Sequence, residues 1–256
     1  MDIKKEVINQ FGNNADSYVD SKGHAKGNDL KMMVEHSGVD HNSILLDVAT
    51  GGGHTANAFA PLVNKVIAYD LTPKMLEAAK KFIISNGHKN VEFVQGDAEN
   101  LSFSNETFDF VTCRIAAHHF PSLKQFIKET YRVLKNNGCF LLIDNVAPEI
   151  KELDKFYNDI EKQRDQSHYR AWKKSEWIKF LEEEKFTIES MFRFEKKFNF
   201  VEWCERMKLN ISEMRDLEKK ISNSSPEIMT HFNIEIENNR VNSFTGESVL
   251  IKAKKL

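Results

Sequence analysis

With 256 residues, of which 41% are hydrophobic and 29% charged, the chain is long enough for one domain with a sizeable core, or for one domain carrying an inserted cap. A net charge of −2 and a pI near 6.5 give no electrostatic reason to expect nucleic acid or an anionic membrane as partner. No apolar run approaches the roughly 20 residues of a membrane span, and the opening "MDIKKEVINQFG" lacks the apolar stretch of a secretory signal, so the expected location is the cytoplasm. Three widely spaced cysteines (Cys113, Cys139 and Cys204), with no C-x-x-C pair, fit reduced thiols and no zinc site.

In chain order, "SILLDVA" reads as a strand and "HTANAFAPLV" as a helix stopping near Pro61. "KVIAYD" is the next strand. "LTPKMLEAAKKFIISNG" is a helix with Thr72 as N-cap, Pro73 in first position and Gly87 just past the end. "VEFVQ" and "FDFVTCR" are strands. "SLKQFIKETYRVLK" opens with Ser122 and Gln125 in capping-box spacing, and "CFLLID" follows the turn "NNG". Strand and helix alternate over 43–144, which a doubly wound, mostly parallel α/β sheet satisfies. Residues 149–172 read as helix then loop, "SEWIKFLEEEKF" as a sheet-covering helix, and 200–222 as a charged helical insert. "FTIESMFRFEKKF" and "ESVLIKAKK" read as an antiparallel pair at a sheet edge. The expected organisation is a helical lid over 1–42, a Rossmann-like core over 43–148, a cap insert over 149–174, and the rest of the sheet over 175–256.

The segment "LLDVATGGGHT" places three glycines after the first strand, and in an open α/β sheet that loop lines the ligand crevice. Two cofactor classes compete for it. Gly51, Gly53 and Ala56 satisfy G-x-G-x-x-A, with Asp70 at the end of the next strand to bind ribose hydroxyls, as a dinucleotide enzyme requires. S-adenosylmethionine (SAM) has the same ribose but no pyrophosphate, and it carries an ammonium and a sulfonium. Asp47, ahead of the glycines, suits those cations and would repel a pyrophosphate. Asp97 and Ala98, after the third strand, suit an adenine edge. The choice therefore falls on SAM, with S-adenosylhomocysteine as product.

The segments "LLDVATGGGHTA", "VIAYDLTPKMLEAAK", "VEFVQGDAENLSFSNETFDFVTCRIAAHHF" and "ETYRVLKNNGCFLLIDN" together resemble the class I SAM-dependent methyltransferases. Among these they are similar to the small-molecule branch that contains the ubiquinone and menaquinone C-methyltransferases. The resemblance implies methyl transfer to a small-molecule acceptor. It implies that Asp47, Ala49, Thr50, Gly51 and Gly53 meet the methionine part of SAM. Asp70 would take the ribose diol, Leu71 would lie beside the adenine, Asp97 and Ala98 at its edge, and Arg114 at the wall between cofactor and acceptor, with Met75 a further cofactor-binding residue. Ala49 replaces the family's usual first glycine, so the backbone there is expected to keep φ below zero.

Methyl transfer from a sulfonium is an in-line displacement, so a general base is required only if the acceptor must lose a proton. His118 and His119 follow the fourth strand. His119 is the preferred candidate because Phe120 and Pro121 turn the loop there. Tyr18 and His24 in the lid, and Arg164, His168 and Arg170 in "RDQSHYR", are the further acceptor-side candidates, the last three for an anionic or polar group. Trp172 and Trp177 read as core packing. No tandem-proline aromatic motif of an amide or base methylase follows the fourth strand. The alternatives are an NAD(P)-dependent oxidoreductase and a non-catalytic SAM-binding module, and the oligomeric state is monomer or homodimer.

Overall fold

The computed structural model describes residues 3–12 and 27–256. Five strands run parallel: β1 (Ile44–Val48), β2 (Lys65–Asp70), β3 (Val91–Gln95), β4 (Phe108–Arg114) and β5 (Leu134–Val146). The order along the sheet is β3-β2-β1-β4-β5-β8-β6, with β7 (Glu235–Glu237) also paired to β8. β6 (Phe186–Asn199) and β8 (Arg240–Lys255) form the expected antiparallel pair, β6 outermost and β8 between β5 and β6. The chain first builds outward from β1 through β2 to β3, then crosses to β4 on the other side. The carboxyl ends of β1 and β4 therefore flank the point where strand order reverses, which is where open α/β sheets take ligands.

The strand sequences alternate between two buried faces, as sheets covered on both sides require. Leu46 and Val48 of β1 face a core completed by Phe126 and Ile127 of one helix (Leu123–Val133) and Trp177 of another (Lys174–Glu183). Leu45 faces the opposite core, covered by Met33 of the Asn28–Ser37 helix, Phe59 of the His54–Phe59 helix, and Ala79 and Ile83 of the Pro73–Ser85 helix. The His54–Phe59 helix gives way to a 3-10 turn over Ala60–Leu62 at Pro61. A third core lies beyond the sheet. There the Lys151–Arg164 and Ile211–Ser222 helices pack Tyr157, Ile160, Leu217 and Ile221 against Phe198, Trp203 and Phe244.

Two local expectations fail in a physically simple way. Ser122 and Thr72 occupy N-cap positions, but neither side chain caps its helix. The Ser122 amide donates instead to Glu99 Oε1 at 2.5 Å, so a tertiary carboxylate replaces the local capping box.

Candidate active site

The loop after β1 is held from below by Asp47. This carboxylate is 1% exposed and accepts from Thr50 Oγ1 at 2.6 Å, Ala56 N at 3.1 Å and Thr112 Oγ1 at 2.7 Å. Burial raises its pKa to about 6, against the pull of those three hydrogen bonds. Asp47 does not line the cleft above it, so its direct role toward a ligand's positive charge gives way to a role in setting the loop. Gly53 lies outside the lining too. Its φ is +83°, and a Cβ there would come within 2.9 Å of both Ala79 and Ile83, so this glycine serves loop-to-helix packing.

The expected negative φ at Ala49 is overturned, because the residue sits in the left-handed region at +54°. The same holds for Ile115, which follows β4 with φ +55°. A β-branched side chain in that region is a genuine outlier. Both strands at the reversal point thus end on a left-handed, non-glycine residue.

Above the loop lies a solvent-open cleft of about 990 Å³. Its walls bring together Ala49, Thr50, Gly51, Asp70, Leu71, Met75, Asp97, Ala98, Arg114 and His119, all from the sequence-predicted set. Asp70 accepts from Gly51 N at 2.9 Å on Oδ2 and from Thr72 N at 2.8 Å on Oδ1. Each oxygen keeps a second acceptor site. Burial raises the Asp70 pKa against these bonds. Gly96 lets the Tyr69 ring lie under the loop after β3, since a Cβ there would stand 1.9 Å from the Tyr69 hydroxyl. Arg114 is anchored by Asp29 of the Asn28–Ser37 helix, Nε to Oδ2 at 2.8 Å.

The N-terminal helix α1 (Ile3–Gly12) supplies three lining residues that the sequence reading did not single out, Lys4, Val7 and Phe11. Lys4 reaches Asp97, and Phe11 meets the His119 ring edge-on at 5.1 Å between centroids. Tyr18 and His24 lie outside the described residues.

A second cleft, of about 880 Å³, shares Phe11, Ile115 and His119 with the first. His119 is therefore at the junction. Its Nδ1 lies 3.0 Å from the Ser167 carbonyl oxygen, which can only accept, so Nδ1 carries the proton. Burial and the neighbouring His118 charge hold its pKa below the ordinary histidine value. His118 Nδ1 lies 2.6 Å from Asp144 Oδ1. Burial alone would lower its pKa, but the carboxylate outweighs burial and the net direction is up.

Of the three residues expected to grip an acceptor, Arg164 lines this second cleft, with Nη2 donating to Glu161 Oε2 at 2.8 Å. His168 and Arg170 line neither cleft. His168 is buried, with Nε2 against Asn158 Oδ1 at 3.0 Å, and burial pushes its pKa far down. Arg170 is spent on Asp154 and Glu176 at 3.0 and 3.3 Å. Trp177 is core, as expected. Among the described residues no group of three histidine, cysteine or acidic side chains is placed to hold a metal ion, and no helix is long and apolar enough to cross a membrane.

Comparison with known proteins fits this geometry. A family model described as a methyltransferase domain matches residues 46–142, the span from β1 to β5 that carries all of the first cleft's lining except the residues of α1. A Bacillus halodurans C-125 protein, provisionally described as a methyltransferase, has a crystal structure that superposes with a TM-score of 0.88 at 52% identity, over 90% of this chain and 99% of that one. The chain belongs to the methyltransferase family. Bacillus subtilis YcgJ, named an uncharacterized methyltransferase, is 44% identical over 167 residues, 65% of this chain and 66% of YcgJ. A demethylmenaquinone methyltransferase of Chlorobaculum tepidum is 38% identical over 114 residues, 44% of this chain and 45% of that enzyme. The chain thus matches from 45% to 66% of the length of these two curated relatives. Within the family, the mostly parallel sheet and the class of enzyme are those expected from sequence.

Proposed function

We propose that the protein transfers a methyl group from SAM to a small-molecule acceptor, with the first cleft holding SAM and the second the acceptor. One observation carries this reading: Asp70, at the end of β2, lines the cleft with both oxygens fixed by backbone N–H groups and an acceptor site left on each. That is the pair of acceptors to which the two hydroxyls of a vicinal ribose diol can donate. Leu71, Met75 and Ala98 supply apolar walls for an adenine, and the Ala49–Gly51 backbone supplies the opposite end. Asp47, although sealed beneath, leaves a carboxylate under the loop where a pyrophosphate would be repelled.

When bound, SAM supplies a methyl group already activated on a sulfonium. The protein's own part is alignment and exclusion of water, with proton removal if the acceptor needs it. His119 suits that last role. Its Nδ1 proton is committed to Ser167, so Nε2 is the free acceptor at the junction of the two clefts. The lowered pKa keeps the ring neutral near pH 7, so it is ready to accept a proton without first losing one. The three cysteines are all buried and unbridged, which supports a reducing compartment such as the cytoplasm.

The test is calorimetric titration of the purified protein with SAM, S-adenosylhomocysteine and NADH, repeated on Asp70→Ala. SAM and its product should bind, the variant should lose both, and NADH should be silent. NADH binding without a SAM response would sink the proposal.

A further inference from the structure

In the second cleft, the ammonium of Lys196 has no anion in direct contact among the described residues. Lys196 lies on β6, lines the cleft, and forms no hydrogen bond or ion pair among the described residues; its ammonium stands over the face of Phe198, 5.3 Å from the ring centroid. A desolvated ammonium is costly unless an anion accompanies it. Elsewhere on the same sheet edge the cations are matched: Lys197 by Glu235 at 2.7 Å, and Arg193 by Glu195 at 2.9 Å and by Glu247. Lys196 alone of these three looks into the cleft.

The acids around it act only from beyond contact distance. The charges of Asp29 and Glu161 favour the Lys196 ammonium, but Asp29 is held by Arg114 and Glu161 by Arg164, each at 2.8 Å. Asp165 accepts from the Ser167 amide and hydroxyl at 2.8 and 2.5 Å. Glu205 is exposed and lies beyond ion-pair distance of Lys196. Arg206 and Lys208 also line the cleft, and the Arg206 charge is felt at Lys196.

Resting on the reading of the second cleft as the acceptor site, we propose that the acceptor carries an anionic group, a carboxylate or a phosphate, which docks on Lys196. The face of Phe198 lies beside that position, so an aromatic or apolar part of the acceptor next to its anionic group can pack there. The reacting atom then lies toward His119, which lines both clefts. Burial pushes the Lys196 pKa down, which an arriving anion reverses.

The experiment compares benzoate and phenyl phosphate with neutral benzamide, each titrated into the protein with and without S-adenosylhomocysteine and followed by the Trp203 indole resonance. One or both anions should bind at least tenfold more tightly than benzamide. Lys196→Met should remove that preference, and Lys196→Arg should keep it within about threefold. Affinity for S-adenosylhomocysteine should be unchanged in both variants, because Lys196 lines only the second cleft. A preference for phosphate over carboxylate, or the reverse, identifies the group. Equal binding of anions and benzamide, no binding of any probe, or an anion preference that survives Lys196→Met would each overturn the proposal. Failure of the wild-type protein to bind S-adenosylhomocysteine would instead count against the methyltransferase reading, and the titrations without it would still decide the role of Lys196.

Discussion

Lys4 Nζ stands 2.6 Å from Asp97 Oδ2 and 2.5 Å from Glu99 Oε2, so a single ammonium ties the first helix to the loop after β3. The bridge closes the first cleft on the side proposed for the adenine edge. Lys4 and Asp97 are each about a third exposed (34% and 32%), so the link is worth at most about 1 kcal/mol after solvent screening. Lys4→Gln should raise hydrogen exchange over residues 3–12 by up to about fivefold, and 0.5 M salt should mimic it. Unchanged exchange in the variant would show that Val7 and Phe11 hold the helix without the ion pair.

Ala49 holds a left-handed backbone at the steric cost of its Cβ, with no polar side-chain group to offset it by a local hydrogen bond. Glycine removes a steric cost of about 1–2 kcal/mol there, less some loss of unfolded-state rigidity and of apolar contact. Ala49→Gly should therefore stabilise the protein by about 0.5–1 kcal/mol in urea unfolding. Ala49→Val should destabilise it by more than the glycine gains. Loss of stability in Ala49→Gly would mean that the Ala49 methyl group matters more as core packing than as strain.

The raised pKa of Asp47 has a definite sign in folding. The unfolded carboxyl loses its proton near 3.8 and the folded one near about 6, so between these values the folded state holds more protons. Its contribution to stability is present below pH 4 and is lost as pH rises to 6, by roughly 3 kcal/mol at most. Asp47→Asn should flatten that part of the pH–stability curve relative to wild type. Comparing denaturation midpoints of the two proteins at pH 4.5 and pH 7 checks it; parallel curves would refute the assignment.

His119→Gln keeps a donor for the Ser167 carbonyl but cannot accept a proton. With an acceptor that must be deprotonated, kcat should fall 10²-fold or more. Affinity for S-adenosylhomocysteine should change by less than about threefold. A pH–rate profile should lose its acid limb in the variant. A variant as active as wild type would leave alignment alone as the source of catalysis.

Much of this could be read from the sequence because it rests on local signals. The alternation of strand and helix, the glycine loop, and acids at the ends of β1, β2 and β3 are each confined to a few residues. Ten of the eleven residues expected around the cofactor sit within or directly under the first cleft, and the eleventh, Gly53, packs its loop. What could not be read depends on distant partners. Arg170 and His168 look like binding groups in "RDQSHYR", yet Asp154, Glu176 and Asn158 claim them from the preceding and following helices. Glu99, 23 residues earlier, takes the Ser122 amide that Gln125 would have accepted from in a local capping box. Lys196 left a trace that could have been used: it interrupts a same-face series of aromatics, Phe192, Phe194 and Phe198, at a position where period-two alternation calls for an apolar side chain.

β8 pairs with β5 on one side and β6 on the other, and it follows every other strand in the chain. During synthesis the first five strands can therefore assemble, with the first cleft, while β6 still lacks its only neighbour on the main sheet path. Lys196 and Phe198 have no place in a cavity until Gly246 and Phe244 arrive to pair with them. On the assignment of the clefts proposed above, the strands of the half that would hold SAM are thus synthesised before the half that would hold the acceptor can be completed.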